Sequence, residues 1–159
     1  MAAYTFITRW RFEAPVAAVW DEISHPERWP SWWRAVESVT TLHEGDADGV
    51  GTVRRYTWRG ALPYRLTFDM RTTVVRRLER IEGAAVGDLT GRGCWQFSTE
   101  GPVTFVRYEW EVEATRRWMQ LAAPVARPLF EWNHDLVMRW GFEGLARRLH
   151  SNSDARSTS

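Results

Sequence analysis

Lysine is absent from this sequence of 159 residues, in which all 21 basic residues are arginines. The arginines are scattered along the chain and are offset by 20 acidic residues, so the formal net charge is only +1. A nucleic-acid-binding domain normally has a clear basic excess concentrated on one face. The composition therefore indicates an evenly solvated surface, and we expect no nucleic-acid partner.

Cysteine is also scarce, because Cys94 is the only one. A single thiol excludes an intramolecular disulfide and a cysteine-based metal cluster. The four histidines are far apart, and the chain has no phosphate-binding loop, no dinucleotide fingerprint and no serine-nucleophile elbow. We expect no metal and no cofactor, and a reducing cytoplasm suits such a chain.

Long apolar runs are missing as well. No stretch approaches the roughly 18 consecutive apolar residues that a membrane span needs, and the first residues do not form the apolar core of a signal peptide. The sequence therefore predicts a soluble protein without integral membrane contact. What the chain has in abundance is tryptophan, with 11 residues, which suits either a bulky core or the wall of a cavity.

Alternation of apolar and polar residues predicts strands over most of the chain. Residues 4–12 alternate with period two, and a short helix begins near Pro15 and ends before His25. A brief helical turn is expected over residues 27–33. Six further strands follow, and their alternation is typical of an antiparallel sheet with one wet face: 36–43, 51–59, 64–74, 80–89, 91–99 and 103–114.

The periodicity becomes helical after residue 121. Pro124 and Pro128 either confine the regular helix to residues from about 128 onward or interrupt a helix that begins earlier. A ladder of charges marks the outer face, and Asn133 and His134 flank the inner one. Residues 150–159 are polar and rich in serine, so we expect one domain over 1–149 followed by a disordered tail. This order of elements predicts an α+β fold in which a sheet packs against a long C-terminal helix.

The local sequence resembles the START-like superfamily, also called SRPBCC, in its bacterial members labelled polyketide cyclase/dehydrase or lipid transport. The resemblance rests on these segments: Ala14-Pro15-Val16, Val19-Trp20, Trp29-Pro30-Ser31-Trp32-Trp33, Gly49-Val50-Gly51-Thr52, Gly87 through Trp95, and Trp132-Asn133-His134-Asp135. It implies a helix-grip fold, in which a curved seven-stranded antiparallel sheet surrounds the long helix and leaves a hydrophobic cavity. Superfamily members bind lipids, sterols, hormones, quinones and polyketides.

If such a cavity exists, Gly83, Gly87, Gly91 and Gly93 would permit the sheet to bend, although ordinary hairpin turns explain the last two equally well. Gly141 and Gly144 would let the helix approach the sheet, and the cavity would lie toward the other end of the helix. The residues predicted to line it are Trp58, Phe68, Met70, Trp95, Tyr108, Trp110, Asn133 and Val137, although core packing explains each aromatic or aliphatic residue as well. Asn133 is equally able to bind a ligand or backbone.

His134 is the candidate catalytic residue, because a histidine beside an apolar cavity can exchange protons near neutral pH. A hydrogen-bonded histidine at the cavity edge is the simpler interpretation. The first functional hypothesis is a binding protein for a small hydrophobic molecule, such as a lipid, a polyketide or a quinone-like compound. The alternatives are a polyketide cyclase or dehydratase that uses His134 as acid and base, and a protein-interaction module without a small ligand.

Overall fold

The computed structural model describes residues 3–157, which form seven strands and three helical segments. The strands are β1 (Ala3–Phe12), β2 (Val36–His43), β3 (Val53–Trp58), β4 (Leu66–Arg76), β5 (Arg80–Gly87), β6 (Leu89–Glu100) and β7 (Val103–Ala114). Helix α1 (Val16–Ile23) and a 3₁₀ segment (Pro26–Ser31) follow β1, and helix α2 (Arg117–Ser157) ends the chain. The order of elements is the one that the sequence predicts.

All seven strands form one antiparallel sheet with the order β1-β7-β6-β5-β4-β3-β2. Only the link between β1 and β2 is not a hairpin, because α1 and the 3₁₀ segment lie between them; β1 pairs instead with β7, where Phe6 faces Trp110 and Trp10 faces Val106. The alternation of β1 has the predicted consequence, since Tyr4, Trp10 and Phe12 are buried. This arrangement is the α+β helix-grip fold.

Helix α2 begins at Arg117 and contains both prolines, so the earlier of the two predicted starting points is correct. The helix also continues to Ser157, whereas the sequence predicted a disordered tail from His150. A helix that is already formed extends at little cost, and His150 Nε2 lies 3.3 Å from Asp154 Oδ2 one turn away. Residues 158 and 159 lie outside the described residues, and the boundary between domain and tail stays a prediction.

The C-terminal half of α2 packs against the segment that follows the 3₁₀ turn. A Cβ atom at Gly144 would collide with the backbone carbonyl of Trp32, and one at Gly141 would lie 2.5 Å from the indole of Trp33. The two glycines therefore bring α2 close to this tryptophan pair. The sequence-based expectation that they bring α2 close to the sheet is wrong. Trp33 also donates a hydrogen bond of 2.9 Å from Nε1 to the carbonyl of Val137.

No helix in the described part of the chain combines the length and the hydropathy that a membrane span requires.

Candidate functional site

A cavity of about 560 Å³ lies between the sheet and the part of α2 before Gly141. Its wall includes residues of α1, the 3₁₀ segment, α2 and every strand except β2. The nine residues singled out from the sequence all line it: Trp58, Phe68, Met70, Trp95, Tyr108, Trp110, Asn133, His134 and Val137. The structure thus brings together side chains that are up to 79 positions apart in the sequence.

Stacked aromatic rings form one side of the wall. Trp95 of β6 lies opposite Tyr108 of β7, and their rings stack with centroids 4.0 Å apart. Tyr108 in turn stacks with Trp110 at 6.0 Å. A Cβ atom at Gly93 would lie 2.7 Å from the Tyr108 hydroxyl and 3.0 Å from the Trp110 ring. Gly93 therefore provides the space in which these two rings lie against the sheet.

A second aromatic group closes the cavity from the side of the 3₁₀ segment. The rings of Trp33 and Trp58 meet edge to face at 4.9 Å, and Trp29 contacts Trp58 and Tyr56 at 6.2 Å and 5.7 Å. Such arrangements are the favourable ones for aromatic pairs. The indole N–H of Trp58 is buried and has no hydrogen-bond partner among the described residues. The wall is therefore mainly a surface of rings.

The phenols of the wall are held in their neutral form. Burial raises the pKa of Tyr108 and of Tyr56 far above the ordinary value of 10.0. Burial also raises the pKa of Tyr64, with a hydrogen bond to Asn133 as a smaller opposing effect. A neutral phenol can donate a hydrogen bond to a ligand oxygen, but it is a poor source of a phenolate nucleophile or base at neutral pH.

His134 projects from α2 into the same wall and stacks on Phe6 of β1, with ring centroids 3.7 Å apart. Only 15 % of its side chain is exposed, and this burial lowers its pKa from 6.5 to about 4. The Asp135 carboxylate, whose oxygen lies 3.7 Å from Nδ1, raises the pKa but only partly opposes the effect of burial. His134 is therefore a neutral imidazole at pH 7.

Asn133 holds a loop and does not present its carbonyl oxygen to the cavity. Its Oδ1 accepts hydrogen bonds from the backbone N–H groups of Ala61 at 2.8 Å and Leu62 at 3.3 Å. These residues belong to the connection between β3 and β4, and a Cβ atom at Gly60 in that loop would collide with the Asn133 side chain. Of the two roles that the sequence left open, the structure shows backbone binding for this oxygen.

Sequence reasoning missed several wall residues. They include Tyr4 and Phe6 of β1, Tyr64 and Leu66 around the start of β4, and Met119 and Phe130 of α2. The inward face of β1 was visible in the alternation, but nothing in the sequence distinguished a residue that faces a void from one that packs in a core. The polar rim was missed too, and it contains Asp46, Asp48, Arg54 and Arg77.

The described residues contain no group of three or more histidine, cysteine, aspartate or glutamate side chains that is close enough to hold a metal ion. Arg54 of the rim is paired with Glu27 at 2.6 Å, and Asp46 accepts hydrogen bonds from the backbone of Asp48 and Val50. The site can therefore offer a ligand apolar contact and ring stacking, with a few neutral polar groups inside and charged side chains at the rim.

Residues 7–152 match the family model described as polyketide cyclase/dehydrase and lipid transport. The chain belongs to this family. The match confirms the resemblance that the sequence segments suggested, and it includes nearly the whole chain. No curated protein matches the sequence at a significant level.

Solved structures with the same fold include three bacterial proteins. TTHA0849 from Thermus thermophilus is 20% identical with a TM-score of 0.80, over 94% of this chain and 99% of its own. The Zhui aromatase/cyclase from Streptomyces sp. R1128 is 15% identical with a TM-score of 0.75, over 93% and 94%. A START superfamily protein from Mycobacterium smegmatis is 15% identical with a TM-score of 0.74, over 92% and 97%. At these identities the similarity shows a shared fold.

Proposed function

We propose that this protein binds a small hydrophobic molecule in the cavity between the sheet and α2. The observation that carries the proposal is the cavity of about 560 Å³, lined mainly by aromatic and aliphatic side chains. Small-molecule sites generally have volumes of roughly 300–1,000 Å³ and apolar walls with a few polar groups. The description of the family, which includes lipid transport and polyketide cyclisation, agrees with such a ligand.

Stacked rings favour a flat, unsaturated ligand over a saturated acyl chain. Trp95, Tyr108 and Trp110 form a continuous row of rings along β6 and β7. A conjugated ring system gains stacking contacts on such a surface in addition to the burial of its apolar area. Among the hydrophobic ligands predicted from the sequence, a polyketide or quinone-like molecule therefore fits this wall better than a simple lipid.

The buried polar groups match a ligand that is neutral where it meets them. Tyr108 and His134 are both uncharged at pH 7, because a phenol is neutral at that pH and burial lowers the pKa of His134 to about 4. A ligand charge placed beside them would lack a counter-charge and would lose its hydration. A ketone or quinone oxygen can instead accept a single hydrogen bond at these positions, and a phenol hydroxyl can accept or donate one.

Cyclase or dehydratase chemistry is the second candidate function, and the observation that favours it is His134 in the wall of the cavity. A neutral imidazole can accept a proton from an acidic carbon beside a carbonyl group. A pKa near 4 makes it a weak base, and no imidazolium is available at neutral pH to act as the acid. The structure thus supports binding more strongly than acid–base turnover by this residue.

An interaction module without a ligand would have a filled interior. The volume of about 560 Å³ counts against that alternative.

Native mass spectrometry of freshly purified protein, followed by solvent extraction, tests the proposal. We expect an apolar molecule of defined mass to be retained by the natural sequence and to be lost from Val137→Trp, in which an added indole occupies part of the cavity. Val86→Trp is the matched control, because Val86 is 66% exposed on β5 and does not line the cavity. Retention of the same molecule by Val137→Trp would argue against the cavity as its site.

A further inference from the structure

One face of α2 exposes a row of large apolar side chains that the cavity does not use. Trp118, Leu121, Val125, Leu129 and Trp132, here called the apolar stripe, account for five of the eight exposed large hydrophobic side chains of the described residues. Val125 is 89% exposed and Leu121 is 75% exposed. Isolated apolar residues on a surface need no explanation, but a contiguous row of them marks an interaction site.

The stripe is uninterrupted by charge. Arg127 and Glu131 are the only charged residues between Trp118 and Trp132 in the sequence, and the Arg127 guanidinium lies 4.3 Å from the centre of the Tyr4 ring. The spacing of three or four residues between successive members keeps all five on one side of the helix. Pro124 and Pro128 are exposed beside them and extend the apolar surface.

The order of the residues in the stripe is symmetric about Val125. Leu121 and Leu129 lie four positions before and after it, and Trp118 and Trp132 lie seven positions before and after it. A surface with this property is self-complementary when two copies pack antiparallel around a two-fold axis at Val125. Trp118 of one copy then meets Trp132 of the other, and Leu121 meets Leu129.

The charges at the two ends of the stripe are opposite in sign, so they are complementary when two copies pack antiparallel. Arg117 lies at the N-terminal end, and Glu131 and Asp135 lie at the C-terminal end, all three exposed. Arg117 and Asp135 are 18 residues apart, about five helical turns, so both lie on the same side of the stripe. Antiparallel packing brings the basic end of each helix to the acidic end of the other, whereas parallel packing would bring like charges together.

From this symmetry and charge pattern we propose that the apolar stripe is the interface of an antiparallel homodimer of this chain. A membrane surface fits less well, because helices that lie on membranes flank their apolar face mainly with basic residues, and here one end is acidic. The proposal is independent of the proposed ligand-binding function, since none of the five stripe residues lines the cavity.

Sedimentation velocity of the full chain over a range of concentrations tests the dimer. We expect the natural sequence to dimerise and Val125→Asp to be monomeric, because that change buries two like charges on the two-fold axis. Val86→Asp introduces the same change at an exposed apolar residue on β5 and is expected to leave the dimer intact. Circular dichroism verifies that each variant is folded.

A charge reversal tests the antiparallel orientation. Arg117→Asp is expected to weaken dimerisation by about tenfold, and the double variant Arg117→Asp/Asp135→Arg to restore it. A natural sequence that is monomeric at all concentrations, or a Val125→Asp variant that still dimerises, would overturn the proposal. Stripe-dependent binding of a monomer to phosphatidylcholine–phosphatidylglycerol vesicles would overturn it in favour of a membrane surface.

Discussion

The imidazole of His134 is enclosed by the Phe6 ring and the cavity wall, and its pKa falls from 6.5 to about 4. In the unfolded chain the same group takes up a proton as the pH falls through about 6.5. Between these two values the unfolded state binds more protons than the folded state. The free energy of unfolding must therefore decrease as the pH falls from 6.5 toward 4.

Replacement of His134 by glutamine should remove this dependence. Between pH 7 and pH 4 we expect the natural sequence to lose roughly 3 kcal/mol more of its free energy of unfolding than His134→Gln loses. Urea denaturation at a series of pH values measures both profiles. Parallel profiles would show that His134 is accessible to protons in the folded state, which would contradict its burial.

Asn133 fastens the connection between β3 and β4 to α2. Replacement by alanine leaves the N–H groups of Ala61 and Leu62 without their acceptor, so we expect a loss of about 0.5–1.5 kcal/mol in the free energy of unfolding. Glu143→Ala, at an exposed position on the same helix, should change it by less than about 0.5 kcal/mol. Equal effects of the two substitutions in denaturant titrations would refute the anchoring role.

At the scale of single elements, the contact between α2 and the tryptophan segment depends on Gly144. Replacement of glycine by alanine within a helix normally raises the free energy of unfolding by up to about 1 kcal/mol. Here the new Cβ atom would collide with the carbonyl oxygen of Trp32, which belongs to the backbone and cannot rotate away as a flexible side chain could. We therefore expect Gly144→Ala to lower the thermal unfolding midpoint.

Arg147→Ala is the control for that substitution, since residue 147 is exposed on the same helix and the change also favours helix formation. Its midpoint should stay within a few degrees of that of the natural sequence. If Gly144→Ala were as stable as Arg147→Ala, the close approach of α2 to Trp32 would be incorrect.

The elements themselves could be predicted from the sequence because their physical signals are local. Period-two alternation identifies the strands from Tyr4 onward, and a change to helical periodicity identifies α2. The start of α2 was left open, because prolines at 124 and 128 oppose helix in isolation, and only packing of the apolar inner face decides in favour of it. The contact of Gly141 and Gly144 with Trp33 and Trp32 joins distant segments, and no local pattern encodes it.

Part of the candidate site's membership could be predicted from the sequence, but the roles of its residues could not. Inward-facing aromatic residues such as Trp95 and Tyr108 follow from strand alternation. Whether such residues fill a core or face a void depends on how far α2 stands from the sheet. The same limit applies to Asn133, because its hydrogen-bond partners lie in a loop 71 and 72 positions away in the sequence.

For the whole molecule, the central claim is that one apolar cavity is the ligand site. Isothermal titration calorimetry with a naphthoquinone, an anthraquinone and palmitate addresses it, with the natural sequence, Val137→Trp and Val86→Trp compared under the same conditions. The row of rings along β6 and β7 predicts that a flat ligand binds more tightly than palmitate. Burial of apolar area predicts a negative change in heat capacity on binding.

The decisive comparison in that experiment is between the two tryptophan variants. We predict one-to-one binding of a flat ligand to the natural sequence and to Val86→Trp, and a loss of at least about tenfold in affinity for Val137→Trp. Equal affinities of Val137→Trp and Val86→Trp, or no binding of any of the three compounds to the natural sequence, would contradict the account.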